Sequence, residues 1–355
     1  MSQEQNGILP LYKQVVSAFA KTTNKTSHIG LLFDKFPNGW NEKYQLEDNK
    51  KKYFLDEIIK DYIESKPTLT TNLASALRKQ TALLDHMNGL QIIAKTDWRL
   101  VIGLGTSHPY ETGFIWHRTL SVPYLPGSSV KGMLRAWATQ WSDTTTQQEV
   151  TRLFGADQGD AECGALIVFD ALPVIPPKLE IDILNPHYSE YYQNPANPPA
   201  DYLSPIPVFF LTVQPEQAFT FSLAPRAGFY RNQSSLSAHN AVEDLETAKQ
   251  LLIKALAYLG LGAKTAVGYG QLLAAETASE WLEKTIEALK QDKDLKGLRI
   301  EDLWKKSLSE KYLTAPQLLK PAILDLIKSK WKELGLSWAQ PKGKSAEAAI
   351  RNFLK

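Results

Sequence analysis

Apolar residues recur at three- and four-residue steps in three early stretches: ILPLYKQVVSAFA, KYFLDEIIKDYIE and NLASALRKQTALLDHM. That period predicts a helical segment, in pieces, over residues 1–90. The pattern then changes. WRLVIGLG at 98–105 is a short β-rich run closed by glycines and reads as the first strand. Following PGSS, residues Val130, Met133, Leu134, Trp137, Ala138 and Trp141 share one helical face and predict an amphipathic helix. GALIVFDA at 164–171 is continuously apolar, as a central strand would be. QAFTFSLA at 217–224 alternates, as a half-buried strand does, and AVEDLETAKQLLIKALAYLG is a second amphipathic helix stopped by Gly260. GYGQLLAA at 268–275 supplies the last strand.

The order strand, helix, strand, strand, helix, strand predicts an α+β fold of ferredoxin-like (RRM-like) type, with two helices on one face of an antiparallel sheet. This core spans residues 91–275. Residues 276–355 turn helical and charged and form a C-terminal extension. Prolines crowd residues 173–207 too densely for helix, so this passage reads as a long loop ordered by its aromatic side chains.

Composition narrows the class. A chain of 355 residues with 43% hydrophobic content can bury a substantial core. No run of about 18 apolar residues and no basic-then-apolar leader is visible, which predicts a cytoplasmic protein without membrane contact. The single cysteine, Cys163, excludes an internal disulfide and a cysteine-based zinc site, and no metal or other cofactor is expected. A net charge of +2 is too small to announce nucleic acid, but its distribution is uneven. Residues 276–355 carry +4 and the rest −2. Within the body, Lys95, Arg99, Arg118, Lys131 and Arg135 gather around the PGSS turn, whereas residues 149–216 are acidic, a face suited to a protein neighbour or to solvent.

Three segments carry candidate binding chemistry. In LPGSSVKGMLR, Pro126 and Gly127 make a turn, Ser128 or Ser129 is positioned to cap the helix, and Lys131 and Arg135 lie four apart on one side. Free amides and the helix dipole there favour phosphate, although on this motif alone the commoner reading is a capped core helix with two solvated cations. In LGLGAKTAVGYG, Gly262 and Gly268 allow close backbone approach, Lys264 and Thr265 offer charge and hydroxyl, and Tyr269 a stacking face. Neither segment is a nucleotide-triphosphate loop: GSSVKG lacks the required ending, and Ala263 precedes the second lysine. In DILNPHYSEYYQ, His187 and Tyr188, with Tyr191 and Tyr192, could stack single-stranded bases or pin the proline-rich loop.

These motifs together resemble the RAMP superfamily of CRISPR effector proteins. LPGSSVKGMLR, with Leu125 where the family pattern has isoleucine, and GAKTAVGYG near the end of the core are its two marks. DILNPHYSEYY followed by LSPIPVFFLTV is similar to RAMP subunits of type III-B Cmr complexes. The resemblance covers about residues 90–275. It implies a non-catalytic subunit toward the 3′ end of the guide RNA (crRNA) in an antiviral interference complex. Its implied partners are crRNA, target RNA and other Cmr subunits, including backbone RAMP subunits and a second terminal one.

Two other readings differ in class. Some RAMP relatives process guide RNA with histidine, and His117 beside Arg118 is the pair that metal-independent cleavage would use; His108, His187 and His239 are also available. Alternatively the motifs maintain the fold of a protein-interaction module. No catalytic residue is assigned, and no cleavage by the isolated subunit is expected.

Overall fold

The computed structural model describes residues 28–41, 43, 45–46, 50–143, 145–156, 163–186, 194, 207–231, 238–275, 278–292, 302–313, 320–333, 337–338 and 344–354. The chain divides into two compact units, Met1–Ala274 and Ala275–Lys355.

The first unit opens with α1 (Ile29–Lys35) and α2 (Lys51–His86). Two of the helical stretches read separately are one 36-residue helix, roughly 54 Å long at 1.5 Å per residue. Pro67 lies inside α2 and removes one backbone donor, yet buried Tyr62, Leu69 and Leu73 on either side hold the helix to the core. Packing overrides the local break.

The first strand is β1 (Leu90–Thr96), not WRLVIGLG. LQIIAKT alternates, burying Ile92, Ala94 and Thr96 on one side, which is what a sheet with one covered face selects. Leu100, Val101 and Ile102 are buried too, but as irregular chain touching the small sheet through a single Leu100–Val213 bridge. After it come α3 (Gly127–Gln140), α4 (Gln147–Phe154), β2 (Leu166–Val168) and β3 (Leu172–Pro173). The continuous run GALIVFDA therefore gives a three-residue strand, and it sits at the sheet edge rather than the centre. Its apolarity is used against α3: a Cβ on Gly127 would lie 2.6 Å from the Val168 carbonyl oxygen.

Part of the proline-rich passage is regular. β4 (Leu179–Leu184), which the sequence reading places inside the long loop, pairs antiparallel with β5 (Val208–Val213), just beyond that loop, as a two-stranded sheet. β6 (Ala218–Pro225) then enters the main sheet, followed by α5 (Ala227–Arg231), α6 (Ala238–Tyr258) and β7 (Leu272–Ala274). The main sheet runs β2-β6-β1-β7, with β3 also on β6, and every pairing is antiparallel. One core joins Phe33 and Phe54 of the early helices to Leu134 of α3, Phe219 and Phe221 of β6, and Leu252 of α6. This is a mixed α+β domain.

The described residues of the second unit are helical: α7 (Ala278–Gln291), a π-helical turn running into α8 (Ser309–Leu313), α9 (Lys320–Glu333) and α10 (Lys344–Phe353). They close on their own core, centred on Leu308, Ile323, Ile327, Trp331 and Phe353. No helix among the described residues is long and apolar enough to cross a membrane.

Candidate nucleic-acid interface

The PGSS turn is built from both sides. α3 begins at Gly127 with Pro126 at the cap position, so no cap side chain is available from the turn itself. Neither Ser128 nor Ser129 caps the helix, contrary to the sequence expectation. Asp170, just beyond β2, accepts the Gly127 N–H at 2.7 Å, and the Pro126 carbonyl takes the N–H groups of Ser129 and Val130 at 2.9 and 3.1 Å. A carboxylate complements the helix dipole, so the anion-favouring end of α3 already faces a negative charge of the protein's own. What remains for phosphate is side chains. Ser128 and Ser129 are exposed, Lys131 and Arg135 are half-buried, and Lys131 has no ion-pair partner among the described residues. Arg118 and Asp170 act in opposite directions on the Tyr124 hydroxyl, which burial above all holds above its ordinary pKa; the fold thus brings Arg118 to the side of this turn.

His117 is committed to its own loop. The N–H groups of Thr119 and Leu120 both reach its Nδ1 at 3.3 Å, so the neutral ring carries its proton on Nε2. The ring meets Tyr124 edge-on at 5.1 Å, and burial holds its pKa below the ordinary imidazole value.

The glycine-rich loop rests on different supports. Gly262 has φ +95° and would place a Cβ against the Val101 carbonyl; beside it Ala263 N–H bonds that carbonyl at 2.8 Å, and Gly270 N–H bonds the Arg99 carbonyl at 2.8 Å. Lys264 is left-handed, with φ +61°, and its ammonium lies 5.5 Å from the Phe210 ring centre and 5.4 Å from that of Tyr269. It too has no ion-pair partner among the described residues. Thr265 begins a short 3-10 turn, Thr265–Val267, and Gly268 follows with open space around it. Tyr269 is tethered: its hydroxyl donates to Asp182 Oδ2 at 2.6 Å, and burial together with that carboxylate pushes its pKa up to about 12.

The PGSS turn therefore lies on residues 168–170 and the glycine-rich loop on residues 99–101 and the β4–β5 hairpin, with no residue common to both sets of supports. His187 and Tyr188 lie outside the described residues, as do Tyr191, Tyr192 and the side chain of His239. The carboxylates of the acidic stretch that lie among the described residues have partners within the chain: Asp170 faces α3, Glu149 completes a capping box with Thr146, Glu180 and Asp182 pair with Arg99, and Glu216 lies 3.6 Å from Lys95. Residues that sequence reasoning did not single out are Asp170, Asp182, Phe210 and Trp98. Asp170, Asp182 and Phe210 act through contacts distant in sequence; Trp98 meets its neighbour Arg99, and for it a local signal existed, an aromatic ring beside a cation in the basic stretch. Among the described residues, no group of three or more His, Cys, Asp or Glu side chains is placed to hold a metal ion.

The family model of the RAMP superfamily matches residues 93–272, half of the chain, from within β1 to the start of β7 and including both the PGSS turn and the glycine-rich loop. The chain belongs to the RAMP superfamily. Among curated proteins, this RAMP chain is 29% identical over 294 residues to the CRISPR system Cmr subunit Cmr6 of Pyrococcus furiosus, covering 64% of this chain and 81% of the relative. It is 26% identical over 179 residues to the Cmr6 subunit of Saccharolobus solfataricus, covering 49% and 54%. Among solved structures, a chain of the type III-B Cmr-beta complex bound to cognate target RNA matches at 19% identity and TM-score 0.44, over 77% of this chain and 93% of that one. The crystal structure of Cmr6 from Pyrococcus furiosus matches at 30% identity and TM-score 0.30, over 53% and 98%.

Proposed function

We propose that this RAMP protein is a non-catalytic, crRNA-binding subunit of a type III-B Cmr interference complex, seated toward the 3′ end of the guide and contacting other Cmr subunits and target RNA. The likeness to the Cmr6 subunit over 81% of that relative's length is the observation that carries the assignment to the complex. A ferredoxin-like domain is supported by the strand order β2-β6-β1-β7, in which α3 and α6 each link strands of one antiparallel sheet. RNA contact is supported by Lys131, in the first turns of α3, and Lys264, on the glycine-rich loop, two cations that no carboxylate among the described residues pairs with. A non-catalytic role is supported by His117: a ring whose Nδ1 takes two backbone donors and whose pKa is lowered by burial serves its turn, not a 2′-hydroxyl.

The test is binding of a labelled single-stranded RNA to the full chain at several salt concentrations. K131A combined with R135A should weaken binding across sequences and lower the slope of log K against log salt by about 1 to 2, as lost phosphate contacts do. An unchanged affinity and slope would reduce α3 to a core helix with solvated cations.

A further inference from the structure

We infer that Trp98, at the edge of the glycine-rich loop, is a stacking platform for one base of a single-stranded RNA. This rests on the RNA-binding reading above and adds a binding residue and a binding mode to it.

Trp98 lies two residues after β1 and is 46% exposed. Its backbone is fixed on both sides. Asp97 N–H bonds the Gln271 carbonyl at 3.0 Å, and the Arg99 carbonyl accepts the Gly270 N–H at 2.8 Å. The indole is backed by a second plane, because the Arg99 guanidinium carbon lies 4.9 Å from its ring centre. That guanidinium is itself held, hydrogen-bonded to Glu180 and 3.5 Å from Asp182. A tryptophan fixed by its backbone and supported by an anchored guanidinium loses little freedom when a ring is laid on its open surface.

Charge decides what the platform fits. The Arg99 cation is spent on Glu180 and Asp182, so this spot does not recruit phosphate. A planar, nearly neutral base is the ligand whose stacking does not depend on a free cation, and every base offers such a face. The phosphate side of the contact falls to Lys264, on the loop that Arg99 and Val101 hold through their carbonyls.

The experiment uses the full chain and a single-stranded RNA carrying 2-aminopurine at successive positions. W98A should weaken binding about tenfold, the loss of one base–aromatic stack, with the salt slope unchanged because stacking releases no counterions. W98Y should recover most of the affinity, and the fluorescence quenching that wild type produces at one position should vanish in W98A. Circular dichroism and the melting temperature of W98A should match wild type, since the ring is exposed. If wild type holds no RNA, the binding reading and the platform fall together. If wild type holds RNA and W98A holds it equally well, the platform alone falls and the exposed indole is a protein contact. A loss in W98A accompanied by a smaller salt slope overturns it too, since Trp98 would then only support Lys264.

Discussion

His108 stacks on Phe33 with ring centres 4.3 Å apart, its Nε2 lies 2.8 Å from the Phe33 carbonyl, and its Nδ1 accepts the Tyr110 N–H at 3.0 Å. The ring joins α1 to the segment after β1, and burial holds its pKa below the ordinary value of 6.5. His117 is shifted the same way by the same cause. A folded-state pKa below the unfolded one means that the unfolded chain binds more protons in that window, so stability rises with pH. The contribution is complete above about pH 6.5 and is lost as pH falls through the lowered folded-state values. Thermal unfolding followed from about pH 8 down to pH 5 should show Tm falling below neutrality, with a smaller fall in H108Q, whose side chain does not titrate. An equal fall in both proteins would remove His108 from the account. At this scale the sequence showed which groups could titrate. It could not show that the His108 ring meets the Phe33 carbonyl, which is 75 positions away.

Among elements, the tie between α4, α5 and α6 is the most localised. Arg152 on α4 forms a two-pronged pair with Asp244 on α6, at 2.5 and 2.6 Å, and Tyr230 of α5 donates to the same carboxylate at 2.6 Å. The Asp244 side chain is only 4% exposed, so removing it leaves a partly buried guanidinium and a hydroxyl without their acceptor. D244A should lower stability by about 3 kcal/mol in urea unfolding, far more than loss of the exposed Lys52–Asp56 pair in D56A, which should cost under about 1 kcal/mol. Equal effects would show that the triad contributes no more than a surface pair. Elements with strong local patterns were legible: the apolar stripe of α3, the helix ended by Gly260, and β6 as a strand, although β6 is interior to the sheet and buried on both faces rather than half-buried as its alternation suggested. Those decided by distant partners were not. WRLVIGLG and GALIVFDA each hold an unbroken apolar run, LVIGLG and GALIVF, and apolarity fixes burial but not strand pairing, whereas the weaker alternation of LQIIAKT fits the covered sheet. β4 was hidden because prolines flank it and its Glu180 and Asp182 read as surface charges until Arg99 is seen to meet them.

At the scale of the molecule, two cores follow each other along one chain, the first drawing on residues 29–272 and the second on residues 282–353. Units that each close their own core are expected to fold separately. A chain ending at Ala274 should keep its far-ultraviolet signature, melt cooperatively within about 5 °C of the corresponding transition in the full protein, and retain RNA binding if Lys131, Lys264 and Trp98 hold the strand. Loss of cooperative unfolding in the shorter chain would show that the first unit needs the second. The sequence by itself determined the α+β class, the helices α3 and α6, and the two motifs of the RAMP superfamily, because periodicity and glycine placement are properties of neighbours along the chain. Only the tertiary structure decided that Asp170 faces the start of α3, that Tyr269 is tethered to Asp182, and that Trp98 stays exposed on Arg99. The Asp170 and Asp182 contacts, and the Glu180 contact that anchors Arg99 beneath Trp98, join residues some forty to ninety positions apart, and no local pattern encodes a partner that only folding brings near.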